Sequence, residues 1–346
     1  MTNNKKNTQP LFSQVNLELG KEHWDYNSLN PTLVNIEHFE LLQMYGKGRY
    51  ASVFLGNDLR NNKEVCLKVL KPVKRSKIKR EIKISLIVGE FPNTVKLLDL
   101  IDNKVIGTPT LVFEYFPHVP FLELLPTVAT EDMRLILYKV LQTLYHAHRS
   151  GIMHRDIKPH NVLYDPKSNQ VKLIDWGLSE FYFPETAYNC NVASRFFKAP
   201  ELLIGYTHYN SSIDMWAVGC LIAGWVFSKE PFFAGKNNLD QLSQIVKILG
   251  AKKFWKWTKS IKFQVRKKII KAIPQNGKKK AWKDINDEID PQISDILDGL
   301  LNYDFNKRWN VVQTMAHPWF DPVRSEGDID SKDLKKANVS LEREKN

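Results

Sequence analysis

The stretch that most limits what this chain can fold into is the octapeptide His154-Arg155-Asp156-Ile157-Lys158-Pro159-His160-Asn161. Nineteen residues after Asp156 comes the tripeptide Asp175-Trp176-Gly177, and the apolar run 171–174 just before it predicts a short strand. That strand would carry Asp175 to the octapeptide. A polar loop followed by a buried strand is the simpler interpretation, but eight residues in this pattern rarely occur together by chance.

The polar residues of these two motifs suit phosphoryl transfer. Asp156 can orient an attacking hydroxyl and accept its proton, and Lys158 can neutralise charge on the moving phosphoryl group. Asn161 and Asp175 supply hard oxygen ligands for Mg²⁺ beside a nucleotide. The sequence therefore predicts Asp156 and Lys158 as catalytic residues and Asn161 and Asp175 as metal ligands.

A glycine-rich hairpin upstream predicts a phosphate-binding loop. Residues 39–45 and 51–56 have the pattern of two strands, and the glycines between them let the backbone approach phosphates closely. Ala51 stands at the usual third glycine, so the hairpin alone is a weak signal. The nucleotide-binding residues predicted here are Tyr45, Gly46, Lys47, Gly48 and Val53.

A lysine and an acid strengthen this phosphate site. Lys68 lies in a predicted strand, 64–70, and Glu81 lies in a predicted helix, 78–88. By pairing with Lys68, Glu81 would hold the lysine against the α- and β-phosphates of a nucleotide. Lys68 is therefore the third predicted catalytic residue. Two further strands are predicted over 94–100 and 110–115.

These motifs resemble those of the eukaryotic protein kinases, and Lys158-Pro159 is typical of the Ser/Thr class. More narrowly, roughly residues 15–322 resemble the catalytic (alpha) subunits of casein kinase 2. The stretches that carry this resemblance are His23-Trp24-Asp25-Tyr26, the basic run 71–80, Asp175-Trp176-Gly177 and Val192-Ala193-Ser194-Arg195.

The resemblance implies an α+β, two-lobed kinase fold. The kinase domain is expected over 39–322, with a β-rich small lobe at 39–115 and a mostly helical large lobe at 116–322. Residues 1–38 are expected to form an extension packed on the core. Residues 323–346, like the polar residues 1–10, are expected to be disordered.

The resemblance also implies an activity. It is transfer of the γ-phosphoryl group of ATP, or of GTP, to Ser/Thr in acidic contexts, with Mg²⁺ and without an activating phosphorylation. Glu114 and Phe116 would bind the purine from the link between the lobes, and Leu163, Ile174 and Val53 would form apolar walls. A regulatory (beta) subunit would dock near Leu41, Phe54 and Ile101 and complete a heterotetramer.

Substrate choice is predicted to rest on cations. Charges of this sign suit acidic substrate residues after the acceptor, although a solvated charge run is the alternative. The predicted substrate-binding residues are Lys74, Arg75, Lys77, Lys79, Arg80, Arg195 and Lys198. Asn191 stands where the family places a basic residue, which would relax specificity for the residue just after the acceptor.

Helices of the large lobe follow from caps and apolar spacing. Thr130 is expected to cap a helix that runs to Arg149 and stops at Gly151. Others are predicted over 214–227, 239–249, 293–301 and 311–316. Two structural roles are also expected. Asp214 would brace the catalytic loop, and Glu201 would pair with Arg308.

Composition limits partners and location. Among 346 residues, 43% are hydrophobic and 25% charged, and no run approaches the roughly 20 apolar residues of a membrane span. Residues 1–6 lack an apolar signal region and a glycine for myristoylation, so no membrane partner is expected. Three scattered cysteines, Cys66, Cys190 and Cys220, favour reduced thiols in the cytoplasm and nucleus.

The net charge of +12 is regional. Residues 251–283 hold thirteen Lys/Arg and no Asp/Glu, so the rest of the chain is close to neutral. Nucleic acid is therefore not an expected partner of the whole chain. The basic segment itself would serve nuclear import or polyanion binding, or it is only a solvated insertion.

Two alternatives compete with an active kinase of this type. A pseudokinase scaffold is disfavoured because Lys68, Asp156, Asn161 and Asp175 are all present. A cyclin-dependent-like kinase is disfavoured because residues 79–82 lack the cyclin-binding helix signature.

Overall fold

The computed structural model describes residues 11–337, so residues 1–10 and 338–346 lie outside the described residues. A five-stranded antiparallel sheet, in the order β1-β2-β3-β5-β4, forms the small lobe. Its strands are β1 Phe39–Lys47, β2 Ala51–Asp58, β3 Lys63–Leu70, β4 Leu97–Ile101 and β5 Thr110–Glu114. The predicted strand 94–100 begins later, at Leu97, and the other predicted strands are confirmed.

One helix packs on this sheet and brings an acid to the phosphate site. Helix α3 spans Arg75–Val88, close to the predicted 78–88. Ile78 and Ile82, one turn apart, are buried in a cluster with Leu111 of β5. Burial of each isoleucine stabilises the lobe by about 1.5–3 kcal/mol. This packing fixes the rotation of α3 and places Glu81 toward β3.

The large lobe is mostly helical, and the predicted α+β fold is confirmed. Two short two-stranded antiparallel sheets support its active face, β6 with β9 and β7 with β8. Their strands are β6 Ile152–Met153, β7 Val162–Asp165, β8 Gln170–Leu173 and β9 Glu180–Phe181. The remaining helices are α1 Val15–Leu19, α2 Lys21–Trp24, α4 Phe121–Leu124, α5 Thr130–Arg149, α6 Pro200–Ile204, α7 Ser212–Val226, α8 Asn238–Leu249, α9 Ala251–Ser260, α10 Lys267–Ala272, α11 Pro291–Leu300 and α12 Val311–Met315.

Two of these helices form the centre of the large lobe. Residues 212–224 of α7 are all buried, as an almost wholly apolar helix requires. Helix α5 ends at Arg149, and Gly151 follows with φ +68°. The prediction that Thr130 caps α5 is wrong, because the N-cap position is Ala129 and Thr130 is already helical. Between residues 11 and 337, no helix has the length and apolar character needed to cross a membrane.

The chain after α12 differs from the prediction, and residues 331–337 are helical. Residues 325–337 pack along α5 instead of being disordered. Tyr138 and Tyr145 donate hydrogen bonds to Asp328 and Asp333 at 2.9 and 2.8 Å. Arg149 forms an ion pair with Asp330 at 2.9 Å. The polar composition of this segment suggested disorder, but its carboxylates find donors on the large lobe.

Candidate active site

The catalytic loop, residues 154–161, holds Asp156 against the activation segment, residues 175–201. Its Oδ2 lies 2.6 Å from Lys158 Nζ. Its Oδ1 accepts hydrogen bonds from the backbone N and the Oγ of Ser194, at 2.9 and 3.0 Å. The Asn161 amide nitrogen donates to the Asp156 backbone oxygen at 2.8 Å. Asp156, Lys158 and Asn161 therefore meet as predicted, and Asp156 is fixed in one orientation.

A buried carboxylate supports this loop from below. Asp214, at the start of α7, accepts hydrogen bonds from the backbone N of His154 and Arg155 at 2.9 and 2.7 Å. His148 lies 2.9 Å from the same carboxylate. Burial alone would raise the pKa of Asp214, but these donors and the nearby His148 lower it. The expected bracing role is confirmed, and it holds Arg155 at the unusual φ of +67°.

A second expected clamp is also present in the large lobe. The two terminal nitrogens of the Arg308 guanidinium donate to Glu201, at 2.6 and 3.0 Å. Both side chains are fully buried. The pair ties the end of the activation segment to the chain just before α12, which is a structural role.

Lys68 of β3 lies between two carboxylates. Its Nζ is 2.7 Å from Glu81 Oε1 and 2.7 Å from Asp175 Oδ1. Burial alone would lower the pKa of Lys68, but the two carboxylates outweigh it and raise the pKa. The lysine therefore stays charged, and the predicted partnership with Glu81 is present. Because β3 is the central strand of the sheet, the backbone of Lys68 is held in place by strands on both sides.

Asp175 and Asn161 form a donor set that fits a hard divalent cation. Lys68 first, then Lys158 and His154, lower the pKa of Asp175 to about 2 against the opposing effect of burial, so it is ionised at neutral pH. Asp175 lies at φ +66°, which turns its carboxylate out of line with β8. Within residues 11–337, no group of three or more His, Cys, Asp or Glu side chains could hold a metal. A cation here would complete its shell with phosphate oxygens and water.

Apolar side chains face the space between the lobes. Val53, Leu163 and Ile174 are half-buried, as expected of pocket walls. The Glu114 side chain lies 3.3 Å from Lys172 Nζ. Phe116 is buried, and its carbonyl contacts His118 Nδ1 at 2.9 Å. The contact to His118 was not foreseen from the sequence.

The glycine-rich hairpin lies over this space. Ideal Cβ atoms at Gly46 would meet no atom within 4 Å, so the loop has an open face there. Lys71 donates to the carbonyl of Gly48. On β1, directly before Gly46, Tyr45 lies with its OH 2.9 Å from Tyr115 OH. Lys47 is exposed. The tyrosine pair joins β1 to the link between the lobes, and no sequence motif indicated it.

The predicted substrate-binding cations fall into two groups. Lys74, Arg75 and Lys77 at the start of α3 are exposed. Lys79 donates to the carbonyl of Asn27 at 2.8 Å. Arg80 forms an ion pair with Glu180, which corrects the expectation that it is available to substrates. Both of these side chains point to the protein's own chain because α3 turns them toward the extension and the activation segment.

The two predicted cations of the activation segment also differ. The Arg195 guanidinium donates to the carbonyl of Lys236 at 2.7 Å, yet the residue is exposed. Lys198 is buried and donates to the carbonyl of Cys190 at 3.2 Å. Burial lowers the pKa of the Lys198 amine. Arg195 is therefore exposed at the surface of the segment, whereas the Lys198 amine lies beneath the segment and bonds to the protein's own backbone.

Glu180 of β9 is a site residue that the sequence did not reveal. Its carboxylate pairs with Arg80 and lies 3.7 Å from the Arg155 guanidinium. Arg155 also donates to the carbonyl of Leu178 at 2.7 Å and to Tyr209 OH at 3.1 Å. The arginine beside the catalytic aspartate thus has an anionic partner within the chain.

The N-terminal extension contacts the activation segment. The buried Asn16 side chain donates to the carbonyls of Gly151 and Tyr182, each at 2.8 Å. The Trp24 ring lies edge-on to Phe183 at 5.2 Å. Lys83 of α3 donates to the carbonyl of Glu22 at 3.0 Å. The extension therefore links α3 to the segment after Asp175.

This arrangement can position a hydroxyl against an activated phosphate. It offers a fixed carboxylate, two flanking ammonium groups and two oxygen donors suited to a cation, with a glycine-rich loop opposite. Such a site needs no covalent intermediate. A family model described as the protein kinase domain matches residues 39–320 of the chain.

Proposed function

The chain belongs to the protein kinase family, and on that premise we propose that it phosphorylates Ser and Thr in acidic sequence contexts, as a catalytic subunit of the casein kinase 2 type. A protein kinase domain uses ATP as phosphoryl donor, typically with a divalent metal. The finer assignment is supported by the motifs shared with that subfamily and by the exposed cations beside the cleft. GTP as a second donor rests on the resemblance alone.

In this proposal Asp156 performs the proton chemistry. Its Oδ1 is held by Ser194 and its Oδ2 by Lys158, so its position is set before a substrate hydroxyl arrives. Asp156 orients that hydroxyl and accepts its proton as the phosphoryl group transfers. Lys158 offsets the charge that develops on the transferring group. The rate gain comes from positioning and electrostatics.

The nucleotide is held from the small lobe and the large lobe together. Lys68, positioned by Glu81, binds the α- and β-phosphates, while Asn161 and Asp175 hold Mg²⁺. When bound, that ion neutralises charge on the β- and γ-phosphates. Asp175 is ionised at neutral pH, which suits this role. The proposed nucleotide contacts are Tyr45, Gly46, Lys47, Gly48, Val53, Glu114, Phe116, Leu163 and Ile174.

Acidic specificity is supported by the exposed cations. Lys74, Arg75 and Lys77 have no ion pair with any residue in the range 11–337, so they are available to a carboxylate or phosphate on the substrate. Arg195 would meet an acidic residue near the acceptor. The Ser/Thr class is supported by Lys158-Pro159 in the catalytic loop.

Activity without an activating phosphorylation is the regulatory part of the proposal. In many kinases the arginine beside the catalytic aspartate orders the activation segment by binding a phosphorylated residue. Here Glu180 lies against that arginine, and the extension packs on the same segment. The carboxylate takes the place of the phosphate.

A regulatory (beta) subunit, giving a heterotetramer, is proposed to dock on the outer face of the small-lobe sheet. Leu41, Leu42 and Met44 of β1 are each more than half exposed, which supports an apolar docking surface. Ile101 is buried, so its expected place in this surface is corrected. The proposed location, cytoplasm and nucleus, rests on the resemblance and on the three free thiols.

The observation that carries the proposal is the meeting of Asp156, Lys158, Asn161, Lys68 and Asp175 around one cleft. The test is a peptide panel with [γ-³²P]ATP. Each Ser or Thr peptide carrying Asp or Glu after the acceptor has a matched Gln/Asn version and a matched Tyr version. We expect labelling of the acidic Ser and Thr peptides. Equal labelling of the neutral peptides would contradict acidic specificity, and no labelling at all would favour a scaffold.

A further inference from the structure

We propose that a lysine-rimmed cleft at the far end of α7 binds an acidic segment of a partner polypeptide through one bulky apolar side chain. The cleft contains none of the residues assigned to catalysis or nucleotide binding. Residue 226 follows residue 214 by twelve positions in α7, so the cleft lies roughly 18 Å from the catalytic-loop brace at the ~1.5 Å rise of a helix. Binding there goes beyond the proposed activity and is measurable without it.

The cleft has a preformed apolar floor. It encloses about 480 Å³. The apolar residues that line it are Val226, Phe227, Phe232, Ile248 and Ile285. The ring centroids of Phe227 and Phe232 are 4.9 Å apart, and Trp282, almost fully buried, lies 5.7 Å from Phe227. A floor of packed aromatic rings keeps its shape, so a leucine or phenylalanine side chain can be buried without reorganising it.

The rim of this cleft is polar and carries two lysines and one acid. Lys229 and Lys280 line it together with the hydroxyl-bearing Ser228, and Asp287 is the one acid among the lining residues. The backbone N of Lys280 donates to the carbonyl of Ile248 at 2.8 Å. This bond fixes the backbone of Lys280 beside the end of α8, and the exposed residue lines the cleft.

The cleft lies at the border of the basic segment 251–283. Helix α9 buries Phe254 and Trp257 and turns its lysines outward. Of the thirteen cations in the segment, only Lys279 has an ion pair within residues 11–337, with Asp298. The other twelve are exposed. Four exposed acids at 284–290 stand beside the cleft, but the thirteen cations of the basic segment outnumber them. The summed field therefore attracts anions and raises the rate at which an acidic chain finds the cleft.

These observations favour an acidic polypeptide over nucleic acid. Binding of single-stranded nucleic acid relies on exposed aromatic faces for base stacking. In this segment Phe254, Trp257 and Trp282 are buried, and the Trp255 ring nitrogen donates to the carbonyl of Pro274 at 2.8 Å. Twelve of the thirteen cations are lysines, which lack the planar fork that reads base edges. A cleft with an apolar floor and a polar rim, beside a lysine-rich surface, fits carboxylates flanking one apolar side chain.

The test is fluorescence anisotropy with a labelled peptide of Asp and Glu around a single central Leu, lacking Ser, Thr and Tyr. The protein carries Lys74→Gln, Arg75→Gln and Lys77→Gln, so that the cations of α3 do not contribute. In this full-length background, Lys280→Glu and Ile285→Glu should each weaken binding by about tenfold or more, since each adds a carboxylate at the mouth of the cleft.

Matched controls separate the cleft from the general charge. Lys268→Glu makes the same charge change on the same basic segment, outside the cleft lining. Ile270→Glu alters an isoleucine that is 48% exposed, compared with 37% for Ile285. These controls should weaken binding by no more than about threefold, because they act only through the field.

Three outcomes would overturn the proposal. The first is equal weakening by Lys268→Glu and Lys280→Glu, which would leave only diffuse attraction. The second is a Leu→Gln peptide that binds as tightly as the original. The third is an oligo(dT) of equal charge that binds more tightly than the peptide and loses affinity with the cleft variants. If Ile285→Glu lowers Tm, Lys280→Glu and the Leu→Gln peptide still decide, because neither depends on that variant.

Discussion

Glu180→Gln is the change that most sharply tests activity without an activating phosphorylation. It keeps the size of the side chain but removes the carboxylate shared by Arg80 and Arg155. The Arg155 side chain is only 4% exposed, so water cannot replace the lost partner. Arg155 would retain its hydrogen bonds to Leu178 and Tyr209. The remaining charge would be buried without compensation in the active arrangement.

The expected loss of kcat in Glu180→Gln follows from the burial of Arg155. Removing one partner of a buried ion pair costs about 3–5 kcal/mol. The retained hydrogen bonds and the 3.7 Å separation between Arg155 and Glu180 reduce this to about 2–3 kcal/mol. The activation segment can escape the cost by leaving its active position. We therefore expect kcat to fall by up to roughly 30- to 150-fold, at about 1.4 kcal/mol per factor of ten.

The assay is steady-state phosphorylation of an acidic Ser peptide by bacterially expressed, phosphatase-treated protein. Glu185→Gln is the matched control, because Glu185 is an exposed carboxylate of the same segment with no ion pair among residues 11–337. Thermal melts show whether each variant is folded. Two results would refute the reasoning. One is a folded Glu180→Gln protein with wild-type kcat, and the other is a wild type that stays inactive until another kinase phosphorylates it.

Three further predictions concern the substrate cations, the extension and pH. Replacing Lys74, Arg75 and Lys77 by Glu should raise KM for acidic peptides while leaving kcat on a neutral peptide nearly unchanged, and unaltered selectivity would mean the cluster is only solvated. Deleting residues 1–36 should leave a folded protein with much lower kcat, because the extension no longer holds α3 and the activation segment, and a fully active truncation would contradict this. Burial raises the pKa of Glu230 to about 7. Between the pKa of Glu230 in the unfolded chain and about 7, the folded protein binds a proton that the unfolded chain has lost, so the free energy of unfolding falls as pH rises through this interval. Glu230→Gln should therefore stabilise the protein at pH 8 by about 1–3 kcal/mol and not at pH 4, and equal effects in melts at both pH values would exclude this assignment.

The parts of the site predicted from the sequence are those whose residues are close in the chain or have motif spacing. Asp156, Lys158 and Asn161 lie within six residues of one another, so the motif alone was enough to predict that they meet. Lys68 and Glu81 lie on neighbouring elements, and helix packing brought them together as predicted. Local patterns were enough for this pair because Lys68 lies on a strand and Glu81 lies on a helix.

The features that the sequence did not predict depend on contacts between residues far apart in the chain, and no sequence motif marks those contacts. Glu180 lies 100 residues from Arg80 in the chain, and only the folded activation segment brings the two side chains together. Composition likewise suggested a disordered tail, since it could not show that Tyr138 and Tyr145 of α5 present hydroxyls to Asp328 and Asp333. A run of charged residues looks the same in the sequence whether its side chains face solvent or form hydrogen bonds within the protein.

The most direct test of the proposed chemistry is single-turnover transfer from [γ-³²P]ATP to an acidic Ser peptide, with wild type and Asp156→Asn side by side. Asp156→Asn keeps the shape of the side chain but removes its ability to accept a proton. We expect wild-type turnover in the usual range of roughly 1–100 s⁻¹ and a loss of several orders of magnitude in the variant, with ATP affinity and Tm little changed. A folded Asp156→Asn protein that transfers phosphate at close to the wild-type rate, with contaminating kinase excluded, would contradict the assignment.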